Sequence, residues 1–301
     1  MASGSPLGIA RELTAPVVFV TGKGGVGKTT VAAAMAYSLA KAGHRTLYVE
    51  FDDDEAGRRA LKGSDANVTH VVVDFDGALE ATISAVLPGG VVVAKTVLRH
   101  SAVRRFTRTV PSLREFVSLE RIRVLLAERS ADRIVVDLPA SGHAVDWLRA
   151  PGAFERFLRG GPLGTLGKRI AEEVVAVSKS QVVIVTLAEP MVISETGELS
   201  ARMKKDLGRQ PSHVVVNRMA SPDPRGALEA SQSLRAAAPG DADAAAFESL
   251  LLARAAAVTD SFEALRIAEG LEGVRVVPIP ETPTDPTVQQ VARWLDAAVQ
   301  A

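Results

Sequence analysis

The stretch Val17-Val18-Phe19-Val20-Thr21-Gly22-Lys23-Gly24-Gly25-Val26-Gly27-Lys28-Thr29-Thr30 decides how the rest of the chain is read. A β-branched apolar run stops at a glycine-rich turn, and an alanine-rich helical pattern, Val31-Ala32-Ala33-Ala34-Met35, starts at once. Gly22, Gly27, Lys28 and Thr29 fit G-x-x-x-x-G-K-[ST] in the strand-then-helix context that gives this motif its meaning. Small residues let backbone N–H groups close around phosphate oxygens, and the helix that follows aims its positive end at them. The expected nucleotide-binding residues are therefore Gly22, Lys23, Gly24, Gly25, Val26, Gly27, Lys28, Thr29 and Thr30. Lys28 is expected to reach the β/γ-phosphates, and Thr29 to offer a hydroxyl to Mg²⁺. The chain should bind a nucleoside triphosphate.

Working outward, Val31 to Ala42 reads as a helix closed by Gly43, and Thr46 to Phe51 as a second strand running into Asp52-Asp53-Asp54. A strand–helix–strand series with the glycine loop after the first strand implies a parallel sheet with right-handed crossovers. Ligands in such sheets bind at the carboxyl ends of the strands, where the loop and Asp52 both fall. Asn67 to Phe75 holds a further strand, and from Gly77 to about Arg129 the pattern is helical. There, Ser112-Leu113-Arg114-Glu115 reads as a capping box.

Arg133-Ile134-Val135-Val136-Asp137 is a strand ending in an acid. Helices are expected from Ala144 to Lys179, broken at Pro151-Gly152 and at Gly160-Gly161-Pro162. Strands at Gln181 to Leu187, Ser212 to Asn217 and Gly273 to Val277 alternate with helices to the end. The expectation is one α/β domain over residues 1–301: a mostly parallel sheet flanked by helices, with helical insertions around 77–130 and 144–180.

Composition bounds the function. Lys+Arg and Asp+Glu are both 35, so no global charge draws the chain to nucleic acid or anionic lipid. There are no cysteines, which removes disulfides, thiol catalysis and any Cys-x-x-Cys zinc site and fits a reducing cytoplasm. The N-terminus lacks the basic and apolar regions of a signal peptide, and no uncharged apolar stretch is long enough to span a bilayer. A cytoplasmic protein is expected.

Lys23 sharpens the reading. A second lysine inside the loop gives Lys23-Gly24-Gly25-Val26-Gly27-Lys28-Thr29-Thr30, which resembles the deviant Walker A of the ArsA, MinD and ParA ATPases. Asp137-Leu138-Pro139-Ala140-Ser141-Gly142-His143 resembles the D-T-A-P-T-G-H switch II of the ArsA-type ATPases, the group of the arsenite-pump and tail-anchored-protein-targeting ATPases. His213-Val214-Val215-Val216-Asn217-Arg218 resembles that family's V-V-N-[RQ] strand end, and Val49-Glu50-Phe51-Asp52-Asp53 aligns more loosely with its V-S-T-D-P switch I.

The resemblance implies ATP hydrolysis with Mg²⁺, coupled to closing and opening of a dimer. It implies that Lys23 acts across the dimer interface on the partner's nucleotide, and that Gly142 senses the γ-phosphate. Asp52 would orient or deprotonate the attacking water, although Asp53 or Asp54 could take that role. Thr29, Asp137 and Asp52 would form the metal site, Asp137 through a bound water. Asn217 would read the adenine edge, unless it only forms a turn, with Pro278 on the other side of the base. His143 has no firm role.

The partner is open. The resemblance implies a homodimer, or a heterodimer with an ArsA-like paralogue, and an unidentified protein client that is hydrophobic or membrane-destined. A metalloid cargo is not expected, because its soft site needs thiolates. No methionine lies between Met35 and Met191, so a methionine-rich client groove is not expected either. The alternative is a ParA/MinD-type positioning ATPase that binds DNA or membrane. Arg99, Arg104, Arg105 and Arg108 read better as a solvated helix face than as a DNA contact. The closing helix, with Val288, Val291, Trp294, Leu295 and Val299, reads better as core packing than as a membrane-surface helix.

Overall fold

A computed structural model describes residues 8–52, 55–100, 107, 109–110, 112–139, 144–220, 225–237 and 239–300. Among them, seven strands form one all-parallel sheet in the order β3-β2-β4-β1-β5-β6-β7: β1 Val17–Thr21, β2 Thr46–Phe51, β3 Val68–Val73, β4 Arg133–Asp137, β5 Ser180–Leu187, β6 His213–Met219 and β7 Arg275–Pro280. The central strands are apolar throughout because both of their faces are covered. Val17 and Phe19 of β1 enter one core, while Val18 and Val20 enter the other, following the two-residue period of a strand.

One face carries α1 Ile9–Glu12, α2 Lys28–Lys41 and the closing helix α12 Val288–Gln300. In α2, Val31 through Ala36 are all buried, so small side chains let the helix sit close between the sheet and α12. Val288, Val291 and Leu295 of α12 are buried in this core, as the closing-helix reading expected. The short α3, Glu55–Leu61, packs on α2 as well.

The other face is thicker. It carries α4 Phe75–Val86, α5 Gly90–Arg99, α6 Leu113–Ala127, α7 Ala144–Phe157, α8 Pro162–Ile170 with a π-turn at Ala171–Val175, and α9 Pro190–Leu207. A helical pair, α10 Arg225–Ala237 and α11 Ala242–Glu269, links β6 to β7. No helix among the described residues is long and apolar enough to cross a membrane.

Three local expectations are corrected. Ser112 precedes α6 in a left-handed conformation (φ 58°) and makes no side-chain cap bond, so the chain enters the helix in a geometry that the capping box does not describe. Pro151-Gly152 does not break the helix, because α7 runs through both. An interior proline costs about 3 kcal/mol; burial of Trp147, Leu148 and Pro151 in the core outweighs it. Gly167 of α8 allows close packing there, since a Cβ on it would lie 2.7 Å from the Pro151 carbonyl. Finally, β6 continues past Asn217 to Met219, with an irregularity in its pairing to β7 between Val216 and Met219.

Candidate nucleotide site

The centre of the site lies at the carboxyl ends of β1 and β4, which are neighbours with Val20 opposite Asp137. Lys28 opens α2, and its Nζ donates to Asp137 Oδ1 at 2.5 Å. The Thr29 hydroxyl donates to Asp137 Oδ2 at 2.6 Å, and the Tyr48 hydroxyl donates to the same oxygen at 3.0 Å. Lys28 and Asp137 are both buried. Three donors on one buried carboxylate offset the desolvation of its charge. A hydroxyl and a carboxylate side by side are the hard oxygen donors that suit Mg²⁺, which takes one or two protein ligands and completes its shell with phosphate and water. These residues therefore fit a magnesium ion carried with a triphosphate.

The loop around them has the shape of a phosphate cradle. Gly22 (φ 153°) and Gly27 (φ 86°) have no room for side chains: a Cβ would lie 2.2 Å from the Val185 carbonyl oxygen and 2.4 Å from Asn217 Nδ2, respectively. Lys23, Gly24 and Gly25, by contrast, are exposed, so the loop is held at its two ends and open in the middle. Asn217 ties β6 to this loop, its Nδ2 donating to the Val26 carbonyl at 2.8 Å. Its Oδ1 accepts from the Arg218 N–H at 3.0 Å. Pro278 lies on β7 opposite Val216, one residue before Asn217.

Behind Asp137 is a polar network that the motifs do not indicate. Tyr48 and Glu50 share one face of β2, and Tyr48 is opposite His70 of β3. His70 Nε2 and Glu50 Oε1 are 2.6 Å apart, while Glu50 Oε2 accepts from the Gly57 N–H at 3.1 Å. Burial first, and then the Asp137 charge, pushes the Tyr48 hydroxyl above its usual pKa, so it stays a neutral donor. Burial also raises the pKa of Glu50; His70 and the Gly57 N–H oppose that rise, and Asp137 adds to it. The sequence carried one signal of this network, an acid inside an otherwise apolar strand.

Two other expected catalytic groups stand outside the buried cluster. Lys23 Nζ is 3.0 Å from both carboxylate oxygens of Glu195 on α9. That partner comes from the β5 side of β1, whereas the partner of Lys28 comes from the β4 side. Asp52, just past β2, has a left-handed backbone (φ 64°), and its carboxylate accepts a hydrogen bond from Arg114 of α6. Gly142, His143, Asp53 and Asp54, like Arg104, Arg105 and Arg108, lie outside the described residues.

This chain is similar to known ATPases. Residues 15–161, which include the glycine loop and Asp137, match the model of the anion-transporting ATPase family. ATPase BagA of Mycobacterium tuberculosis is 28% identical over 265 residues, covering 80% of this chain and 75% of that protein. An arsenical pump-driving ATPase of Escherichia coli is 28% identical over 251 residues, covering 71% of this chain and 41% of the relative. The one from Acidiphilium multivorum is 27% identical over 233 residues, covering 67% and 39%.

Proposed function

This chain is an ArsA-like ATPase-family protein, and from that premise we propose that it is a dimeric, ATP-hydrolysing switch. ATP-driven closing and opening would be coupled to binding of a protein or hydrophobic client in the cytoplasm. The observation that carries the reading is the convergence of Lys28, Thr29 and Asp137 inside a glycine cradle, with a second lysine of the same loop paired on the opposite side.

Each residue takes a part in that reading. Lys28 and the backbone N–H groups of Gly22 to Thr30 bind the phosphates. Thr29 and Asp137 would hold Mg²⁺, Asp137 through water, and the ion would neutralise charge that builds on the phosphoryl group. Asp52 orients the attacking water, and Gly142 senses the γ-phosphate. Asn217 and Pro278 flank the base. Lys23 supplies positive charge across the interface to the partner's nucleotide, as an arginine finger does in other phosphoryl transfers.

Exposed apolar side chains in both helical regions support a hydrophobic client: Val91 and Val92 on α5, and Phe157 and Leu158 at the end of α7. A metalloid is not its cargo in this reading, because a chain without cysteine cannot build a thiolate site. The names of the pump-driving relatives therefore suggest the engine and not the load.

The test is the order of the reaction in protein. Turnover per chain should rise with protein concentration before it saturates, and Lys23→Ala should lower the saturated rate while ATP affinity at low, monomeric concentration stays within about two-fold. A turnover independent of concentration over the measurable range would remove the dimer from the reading. Equal losses of rate and monomeric affinity in Lys23→Ala would move Lys23 into its own subunit's site.

A further inference from the structure

The Asp52 carboxylate is held by Arg114, 62 residues away in sequence, at the first turn of α6. The same guanidinium lies over the Phe75 ring, 5.1 Å from its centroid, and Phe75 is the first residue of α4. The Asp52 N–H donates to the Val73 carbonyl at 3.2 Å, closing the group against the end of β3. One end of the pair, Asp52, is left-handed, and so is Ser112, two residues before Arg114, although neither is glycine. Such conformations persist only where surrounding contacts fix them, and they gather at sites that switch. The pair borders a cleft of about 680 Å³ whose wall includes Asp74, Phe75, Val110 and Ser112.

A carboxylate engaged by a guanidinium has acceptor positions occupied and its charge offset, so it is a poorer group for orienting or deprotonating a water. We propose that Arg114 is a brake on hydrolysis: it holds Asp52 away from the attacking water and links that restraint to the helices of residues 75–127. Arg114 is thus a positioning residue that acts through Asp52. Displacement of the first turn of α6 or of α4, by a client or by dimer closure, frees the carboxylate. Arg114 and Asp52 are 52% and 46% exposed, so the pair is screened and exchangeable rather than a fixed structural tie.

This inference rests on the reading of Asp52 as the water-orienting residue, and the experiment separates the two. Arg114→Gln, Arg114→Lys, Asp52→Asn and the Arg114→Gln/Asp52→Asn double variant are assayed at saturating ATP and protein, with thermal unfolding as a control for folding. Arg114→Gln should raise kcat about two- to five-fold with KM for ATP unchanged, and Arg114→Lys should lie between it and the wild type. Added salt should raise the wild-type rate toward that of Arg114→Gln and leave the variant flat. The gain should vanish in the double variant. If Asp52→Asn is slow but Arg114→Gln is no faster than wild type, the brake is refuted and the role of Asp52 stands. If Asp52→Asn turns over like the wild type, the role of Asp52 fails and the brake with it.

Discussion

Lys28 and Lys23 lie five residues apart in one loop, in opposite physical settings. The Lys28 side chain is 10% exposed and pairs with an Asp137 side chain that is 6% exposed, with Thr29 and Tyr48 on the same carboxylate. The Lys23 side chain is 60% exposed and pairs with a Glu195 side chain that is 48% exposed. Breaking a buried pair by removing one partner costs about 3–5 kcal/mol, because a charge is left without compensation. A half-exposed pair contributes only about 0.2–1 kcal/mol. The half of the site proposed to grip the chain's own phosphates is thus built in advance, while the half proposed to act later is held by contacts that exchange readily. Asp52 with Arg114 belongs to the second kind.

Lys28→Ala tests this contrast with the largest expected effect. It removes the cation proposed to reach the phosphates and leaves Asp137 buried with only hydroxyl donors. ATP binding should fall below detection in calorimetry at millimolar nucleotide, and the variant should unfold at a lower temperature than the wild type. Binding within ten-fold of wild type would place the phosphates elsewhere. Asp52→Asn comes next, from the exchangeable half. It should bind ATP as the wild type does and hydrolyse it about 10²- to 10⁴-fold more slowly, the usual contribution of a positioned acid–base group. Single-turnover measurement reads that loss, and capture from native cells with the stalled protein tests the proposed client.

How much of this was legible in the sequence follows the same division. The loop and the bounds of β2 and β4 were readable, because strand period, glycine turn and helix start are local rules. Asp137 was placed beside the loop by its resemblance to a family motif, and its ion pair with Lys28, 109 residues away, was not expected. The partners of the exposed groups were not readable either. Arg114 is 62 residues from Asp52 and Glu195 is 172 from Lys23, and only the strand order brings them together. Tyr48 and His70 needed the register of β2 on β3. Asn217 was visible as a strand-end amide, but its bond to the Val26 carbonyl required knowing that β6 stands two strands from β1. Ser112 and Pro151 depart from local rules: a cap that fits the motif goes unused because its backbone is left-handed, and a proline stays inside a helix whose neighbours are buried.

Glu195→Gln gives the smallest effect and the sharpest view of the exchangeable half. If Glu195 parks Lys23 on its own subunit, the ion pair opposes delivery of the lysine to a partner, and weakening it should favour the closed dimer. The protein concentration giving half-maximal turnover should fall about two- to five-fold, the range that an exposed pair allows, with the saturated rate unchanged. The difference should shrink as salt shortens the Debye length below about 8 Å. A rise in that concentration would reverse the sign. Glu195 would then be a strut that presents Lys23 to the partner, and the loop's two lysines would both be built in advance. The comparison therefore turns on one carboxylate, because a parked lysine and a presented one share the same 3.0 Å contact and differ only in which way its loss moves the dimer.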